Sequence, residues 1–377
     1  MTPLPPRAAD VMPKPREWSP RLWEGADLFA WLKILLGNRA AVQLPYWYIA
    51  GIVGGMSFTH TWLRWLQHGL YGRRIANTQV EHPPLFVIGH WRTGTTLLHE
   101  LLILDDRHAF PDTFACFMPN HILLSERFFK DHLGFLMPQK RPMDNMAAGW
   151  ERPQEDEFAL CLMGQPSTYA DIAFPNRESL FPNSLDLSGL TPRQLQDWKR
   201  TFLRLIQTLT YRDRRRLVLK SPPHTARIPM LLDLFPDAKF VYIQRDPYVL
   251  FPSTVNLWKS LGKTHGLQTP SNSALIEEKV FREFRVIHER YHATKHLIPA
   301  GNLVEVRYEE LVQDLPGGMK AVYDGLSLGG YESVLPRIQG YAARNKNYET
   351  NKYPMTPDVR AKVNARWGDL IAKLGYG

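Results

Sequence analysis

The chain of 377 residues is 44% hydrophobic and 22% charged, a balance typical of a globular protein with one large α/β domain and extensions, or with two small domains. Its formal net charge of +9 suits an anionic ligand or surface, but the basic residues are spread along the chain, which argues against nucleic-acid binding. Two cysteines, Cys116 and Cys161, exclude a disulfide framework and a cysteine-rich metal cluster, and they predict a reducing, cytoplasmic compartment.

Residues 1–80 carry helix signals and no strand signals, which predicts a helical N-terminal extension that is clearest at 31–36 and 62–70. The apolar run 45–58 has 14 residues, fewer than the roughly 20 that a helix needs to cross a bilayer. Residues 61–75 place tryptophans and leucines on one face and arginines at the end, a pattern typical of a helix lying in a membrane interface. A helical layer packed on the body of the protein explains the same pattern. We favour that interpretation over peripheral contact with the inner face of the membrane.

The α/β body is predicted to span residues 81–377. Short apolar runs, each with the length of a buried parallel strand, occur at 85–88, 217–220, 239–244 and 302–307. Helical segments lie between them, at 194–210, at 228–235, from 248 onward and at 273–296. Strands that alternate with helices predict a parallel sheet flanked by helices. The stretch 105–152 is rich in Pro, Phe, Met and His, and we expect it to be irregular and to cover the ligand site.

The residues after the first strand read Gly-His-Trp-Arg-Thr-Gly-Thr-Thr (89–96) and lead into a leucine-rich helix. Such a turn forms an anion cradle, because backbone N–H groups converge there and the helix dipole favours negative charge. The glycine spacing is that of a nucleotide P-loop, but Thr95 stands where that loop has its lysine, and the cation Arg92 lies within the turn. We therefore expect a 5′-phosphate that carries a transferable group other than a γ-phosphoryl. The residues expected to bind it are Gly89, Arg92, Thr93, Gly94, Thr95 and Thr96.

The run Arg-Thr-Gly-Thr-Thr-Leu that starts at Arg92 resembles the 5′-phosphosulfate loop of sulfotransferases. This family uses 3′-phosphoadenosine 5′-phosphosulfate (PAPS) and has a P-loop-kinase-like fold. The resemblance covers about residues 84–311. It is to bacterial family members, and to the tyrosylprotein and carbohydrate enzymes more than to the cytosolic ones, which carry lysine where Arg92 stands. It implies in-line sulfuryl transfer to a hydroxyl or amine, with Arg92 stabilising the leaving phosphate.

Two further motifs resemble those of the family. Arg245 leaves a predicted strand and Ser253 follows eight residues later, like the pair that binds the 3′-phosphate of the donor. Lys220, in the run Leu-Lys-Ser-Pro-Pro-His, resembles a strand-Lys-x-Pro element that supports the transferring sulfuryl group. Near the C-terminus a basic stretch either closes over the 3′-phosphate or forms an exposed tail. Its candidate residues are Arg344, Lys346 and Lys352.

The sequence offers several candidates for the general base and does not decide between them. Cytosolic family members use a histidine in a Lys-x-His strand, but the tripeptide 263–265 follows the 3′-phosphate motif and lies in the wrong place. Other branches use a glutamate, and an acidic cluster follows Arg92 by some sixty residues. Glu155 is the first choice for the base and Glu157 the second. Asp112 and His108 are held in reserve.

The resemblance thus implies a PAPS-dependent sulfotransferase that releases adenosine 3′,5′-bisphosphate (PAP) and needs no metal. Its acceptor is a small molecule, a lipid or a carbohydrate, and its oligomeric state stays open. A P-loop kinase is the rival enzyme, but it requires the missing lysine. A nucleotide-binding module that sits on a membrane surface without catalysis is the rival from another class, motivated by the tryptophan-rich and arginine-rich N-terminal helices.

Overall fold

A five-stranded sheet forms the centre of the protein, in a computed structural model that describes residues 21–133, 149–346 and 353–376. The strands are β1 (Leu85–Ile88), β2 (His108–Ala109), β3 (Arg216–Lys220), β4 (Lys239–Gln244) and β5 (Leu303–Arg307). Their order is β2-β3-β1-β4-β5, and each neighbouring pair is parallel. The predicted α/β class is confirmed. Sequence reasoning missed β2, because a two-residue strand is too short to carry a pattern.

The register aligns the carboxyl ends of the central strands. Val87 of β1 pairs with Lys220 of β3, and Ile88 pairs with Tyr242 of β4. β1 is buried along its whole length, as expected for a parallel strand covered on both faces. The chain segments that leave β1, β3 and β4 therefore emerge side by side at one edge of the sheet.

Alternate residues of β1 face two different helical layers. Phe86 packs in one hydrophobic cluster with Phe202 and Leu231, and Val87 packs in another with Leu98 and Met319. The helices of the body before β4 are α3 (Thr95–Leu102), α4 (Thr113–Phe117), α5 (Ile122–His132), α6 (Asp156–Leu162), α7 (Pro192–Arg212) and α8 (Ile228–Leu234). Those after β4 are α9 (Pro247–His265), α10 (Ser273–Thr294), α11 (Tyr308–Gln313), α12 (Leu315–Gly325), α13 (Tyr331–Arg344) and α14 (Pro357–Lys373). Short 3₁₀ helices occur at Leu22–Gly25, Leu44–Tyr46, Thr168–Ile172, Pro222–Ala226 and Lys295–Leu297.

The stretch 105–152 is more regular than its composition indicated. It contains β2, α4 and α5, so the expectation of an irregular segment was wrong for these residues. Asp112 explains part of the difference, because its carboxylate accepts a hydrogen bond from the Ala115 N–H at 2.8 Å and caps α4.

The N-terminal extension forms α1 (Leu28–Gly37) and α2 (Trp47–Ala76), so the residues expected to form separate apolar and amphipathic segments belong to one long helix. Ile34 and Val53 join the hydrophobic cluster that also contains Trp91, Tyr169 and Trp258 of the body. The extension therefore shares a core with the body. Within the described residues, no helix combines the length and the apolar composition that a bilayer crossing requires.

Candidate functional site

The turn after β1 depends on two glycines with positive φ. Gly89 has φ +147° and Gly94 has φ +100°, conformations that a side chain disfavours. A Cβ on Gly89 would lie 2.4 Å from the Ile243 carbonyl oxygen, and one on Gly94 would lie 2.4 Å from the Tyr308 ring. The Gly89 N–H donates to the Thr225 hydroxyl at 2.7 Å, which ties the turn to the 3₁₀ helix that follows β3. These contacts fix a tight backbone path that only glycine can follow.

The helix that follows this turn begins without a cap. Gly94 occupies the N-cap position of α3 and has no side chain to accept hydrogen bonds from the first turn. The N–H groups of the first turn at Thr95 and Thr96 have no partner within the helix itself, and the helix dipole adds positive potential there. The Thr93 hydroxyl donates to the His90 carbonyl oxygen at 2.7 Å, so it braces the turn. The geometry is that of a site for a phosphate or sulfate group.

Arg92 and the second predicted anchor are in direct contact. Arg92 has φ +68°, an uncommon conformation for a residue with a side chain, which costs about 1–2 kcal/mol. Its Nε donates to the Ser253 hydroxyl at 3.0 Å, and an Arg245 guanidinium nitrogen donates to the Arg92 carbonyl oxygen at 3.0 Å. Because β1 and β4 are neighbours, the residues that follow them meet.

Arg245 is half-buried and stacks on Tyr308, with its guanidinium carbon 4.1 Å from the ring centre. Burial lowers the pKa of Arg245, and the nearby charges of Tyr308 and Glu309 act against that. Among the described residues, no carboxylate lies within salt-bridge distance of Arg245, although Asp246 and Glu309 are close in the fold. A partly buried guanidinium without a paired carboxylate is suited to an anionic ligand.

Lys220 and Glu155 form a buried ion pair beside the turn. Lys220 is the last residue of β3, and its Nζ donates to Glu155 Oε1 at 2.7 Å. The exposed fractions of the two side chains are only 1% and 10%. The hydroxyl of Tyr169 donates to the other carboxylate oxygen, and it accepts a hydrogen bond from the Trp91 indole N–H at 2.8 Å. We call Trp91, Glu155, Tyr169 and Lys220 the Glu155 cluster.

The Glu155 cluster contains two residues that sequence reasoning missed, Trp91 and Tyr169. Burial and the Glu155 charge raise the pKa of Tyr169 well above its usual value, so the phenol is a neutral hydrogen-bond donor. Tyr169 belongs to a short 3₁₀ helix that no motif marks. Trp91 lies next to Arg92, and this adjacency in the turn was the one available signal.

Three consecutive acids at the start of α6 have three different environments. Asp156 accepts hydrogen bonds from Ser221 at 3.0 Å and His224 at 2.5 Å. Burial raises the pKa of Asp156, but its contacts with His224 and Ser221 outweigh burial and hold that pKa below its usual value. Glu157 forms a two-point ion pair with Arg227, at 2.6 and 3.0 Å, in which both side chains are fully buried. Of the three acids, only Glu155 contacts Lys220, and Glu157 is not part of the Glu155 cluster.

The reserve candidates for the base have local structural partners. Asp112 caps α4 and binds Lys130 at 2.8 Å. The His108 ring bonds the Leu102 carbonyl oxygen at 2.8 Å. The His265 ring of the tripeptide 263–265 accepts from the Leu22 N–H at 3.2 Å and so holds the N-terminal extension.

The basic C-terminal residues are only partly described. Arg344 is the last residue of α13, Lys346 is exposed in the turn that follows, and Lys352 lies outside the described residues. Among the residues that the structure describes, no hydrogen bond joins Arg344 or Lys346 to Arg92, Arg245 or Ser253. Tyr353 accepts a hydrogen bond from the Asn256 amide at 3.0 Å, three residues beyond Ser253, so the chain returns to the second anchor at that point. The role of the three cations stays a prediction.

Within residues 21–133, 149–346 and 353–376, no three His, Cys, Asp or Glu side chains lie together in an arrangement suited to a metal ion. The expectation of transfer without a metal stays a prediction.

The chain is similar in sequence to known sulfotransferases. A model described as the sulfotransferase family matches residues 83–332. The chain is 42% identical over 370 residues to the omega-hydroxy-beta-dihydromenaquinone-9 sulfotransferase Stf3 of Mycobacterium bovis, covering 98% of this chain and 95% of the relative. The Stf3 of Mycobacterium tuberculosis matches with the same figures.

Two solved structures share the fold. Sulfotransferase STF9 from Mycobacterium avium matches with a TM-score of 0.65 and 16% identity, over 93% of this chain and 96% of that chain. Sulfotransferase STF1 from Mycobacterium tuberculosis H37Rv matches with a TM-score of 0.56 and 19% identity, over 81% of this chain and 84% of that chain. At these identities the likeness extends to the fold alone.

Proposed function

Because the chain belongs to the sulfotransferase family and is a sulfuryl-transferring enzyme, we propose that its donor is PAPS and its acceptor the hydroxyl group of a lipid. One observation carries the proposal. Arg92, Lys220 and Arg245 follow or end three adjacent strands, at the edge where parallel sheets bind their ligands. Sulfuryl transfer requires positive charge around the group that moves between two oxygens, much as phosphoryl transfer does.

The turn at 89–96 fits the 5′-phosphosulfate end of this donor. The uncapped first turn of α3 offers N–H donors, and Arg92 supplies the positive charge that stabilises the leaving phosphate. Thr95 supplies no charge for a third phosphate, which argues against a P-loop kinase.

Arg245 and Ser253 fit the 3′-phosphate of the same donor. A planar guanidinium can bind two phosphate oxygens at once, and Arg245 lacks a paired carboxylate among the described residues. The bond between Arg92 and Ser253 supports adjoining sites for the two ends of one small molecule.

Glu155 is our proposed general base. Its carboxylate holds two donors, Lys220 and Tyr169, and an acceptor hydroxyl that replaces one of them would deliver its proton to Glu155. Lys220 would then donate to an oxygen of the sulfuryl group. Glu157 is less suited to this task, since both of its oxygens bind Arg227.

The lipid acceptor is inferred from the relative. Stf3 is named for a hydroxylated dihydromenaquinone, and 42% identity across nearly the whole chain supports an acceptor of the same chemical class. We therefore propose a hydroxyl group on an isoprenoid quinone, reached from the inner face of a membrane. The thiols of Cys116 and Cys161 are buried and unpaired, as suits the cytoplasm.

The test combines donor binding with transfer. Thermal unfolding is followed with PAP and, separately, with ATP and magnesium. We expect PAP alone to raise the unfolding temperature and the purified enzyme to move labelled sulfate from PAPS to a hydroxylated menaquinone in detergent. Stabilisation by ATP with magnesium and not by PAP would favour the kinase. PAP binding without transfer to any hydroxylated quinone would refute the acceptor and leave the donor site standing.

A further inference from the structure

The long helix α2 exposes an apolar face to solvent along most of its length. We define the α2 apolar face as Trp47, Tyr48, Ile52, Phe58, Trp62, Trp65, Leu66 and Leu70, all of them exposed. Phe58 is 68% exposed, and Trp65 is 60% exposed. Their spacing puts them on one side of the helix. At about 1.5 Å per residue, the face extends for roughly 36 Å.

The opposite side of α2 is packed on the protein. Ile49, Val53, His60 and Ile75 are buried there. Arg64 is the only Lys, Arg, Asp or Glu residue between Trp47 and Leu70, and it lies on the packed side, where it pairs with the buried Asp27 at 2.6 Å. The α2 apolar face is therefore free of such charges, and the fold leaves it without a covering element among the described residues.

The charged side chains of the segment that carries this face have one sign. Residues 28–80 contain no aspartate or glutamate. Their basic residues are Lys33, Arg39, Arg64, Arg73 and Arg74. Four of them, Lys33, Arg39, Arg73 and Arg74, are exposed, the last two at the end of α2. Such a segment is complementary to anionic lipid head groups, which attract nearby cations.

We propose that the α2 apolar face lies in the interface of an anionic lipid bilayer, parallel to its surface. Tryptophan suits this location, because its ring is apolar and its indole N–H can reach water and head groups. No described helix can cross a bilayer, so the contact is with one leaflet. A second copy of the chain would also cover an apolar face, but the uniform positive charge of the segment opposes such self-association.

Contact with the membrane surface would bring the enzyme to its acceptor, and this part of the inference rests on the proposed lipid acceptor. Val53 of α2 belongs to the same hydrophobic cluster as Trp91 and Tyr169 of the Glu155 cluster. The helix that meets the lipid is therefore packed, through one continuous core, against the residues around the proposed base. An acceptor that stays in the leaflet would meet the enzyme on this side.

The experiment measures vesicle binding by flotation, without reference to activity. The intact protein is mixed with vesicles of phosphatidylglycerol or of phosphatidylcholine, at low and at high salt. The test variant is Phe58→Gln/Trp62→Gln. Its control is Leu297→Gln/Val312→Gln, which replaces two exposed apolar residues, 48% and 43% exposed, on the α/β body. PAP-induced stabilisation verifies that both variants fold.

We expect the protein to float with phosphatidylglycerol vesicles, to be released in part by salt, and to bind phosphatidylcholine less well. The test variant should bind at least about tenfold more weakly, and the control should bind like the parent protein. Equal binding by the two variants, or no flotation with either lipid, would overturn the proposal. Loss of a concentration-dependent dimer in the test variant, without vesicle binding by the parent, would assign the face to a second copy. Vesicle binding by a protein that transfers no sulfuryl group would uphold this inference while refuting the proposed function.

Discussion

The Nε atom of Arg92 lies 3.0 Å from the Ser253 hydroxyl, which accepts its hydrogen bond although 161 residues separate the two in sequence. Arg92 follows β1, and Ser253 lies on α9, the helix after β4. The two motifs that predicted the donor site are therefore parts of one continuous surface. Because of this contact, a change at Arg92 should also affect the site at Arg245 and Ser253.

Replacing Arg245 by alanine should abolish the stabilisation of the protein by PAP. The guanidinium is the group proposed to bind the 3′-phosphate, and its position is held by Tyr308 and by the Arg92 carbonyl oxygen. The measurement is the unfolding temperature with and without PAP. Arg366→Ala is the control, since that arginine is exposed and pairs with Glu278 at 2.6 Å. An undiminished PAP shift in Arg245→Ala would remove Arg245 from the donor site.

Replacing Arg92 by alanine should reduce kcat by at least ~100-fold, because a cation aimed at the developing charge of the leaving phosphate is lost. The KM for the acceptor should stay close to that of the parent enzyme. The PAP-induced stabilisation should also weaken, because Ser253 loses the donor that orients it. Steady-state kinetics with PAPS and a hydroxylated menaquinone provide the test. Turnover near that of the parent would contradict the assigned role.

Glu155→Gln and Glu157→Gln should both lower stability, since each removes the carboxylate of a buried ion pair, but only the first should lower the rate. The first removes the proposed base and should lower kcat by ~100-fold or more. The second leaves Arg227 as an unpaired buried charge and should lower the free energy of unfolding by about 3–5 kcal/mol, with the rate per folded molecule preserved. Kinetics and urea unfolding are measured on both. An equal loss of rate in the folded fraction of both variants would refute the distinction between the two acids.

Tyr169→Phe should lower the turnover of the enzyme. The ring stacks on Phe158 with centroids 4.2 Å apart, so phenylalanine preserves the packing and removes only the hydrogen bond to Glu155. Glu155 then loses one of the two donors that orient its carboxylate, so kcat should fall by ~10-fold or more in steady-state kinetics. Tyr46→Phe is the control, because that hydroxyl bonds Thr269 near the surface. An unchanged kcat would mean that Tyr169 acts on packing alone.

Mild acid should destabilise the protein through its buried histidines. Burial lowers the pKa of His90 to about 4 and that of His99 to about 3. Below the unfolded-state pKa near 6.5, these histidines are protonated in the unfolded chain but stay neutral in the folded chain. The free energy of unfolding therefore falls as the pH drops toward the folded-state pKa values. Each such histidine contributes a slope of about 1.4 kcal/mol per pH unit. Urea unfolding between pH 7 and 5 measures the slope, and His99→Gln should reduce it while the exposed His82→Gln does not. A slope unchanged in His99→Gln would contradict the expected neutral state of that side chain.

The sequence alone predicted the elements whose signals are local. Four of the five strands appear as short apolar runs between helical segments, and the glycines of the turn at 89–96 mark a backbone path that no other residue follows. The motif residues Arg92, Lys220 and Arg245 were located because each ends a strand or follows one. In a parallel sheet that position alone implies a shared edge.

The tertiary structure decided everything that depends on side-chain direction across long separations. Successive residues on a helix point about 100° apart, so Glu155 and Glu157 face different sides, but sequence could not tell which of them meets Lys220 and which meets Arg227. Tyr169 has no motif, and its part in the Glu155 cluster arises only because the 3₁₀ helix that carries it packs beside Trp91. In α2 the sequence set the amphipathic pattern, but packing determined which side is buried and which stays exposed, since that depends on the body against which the helix lies.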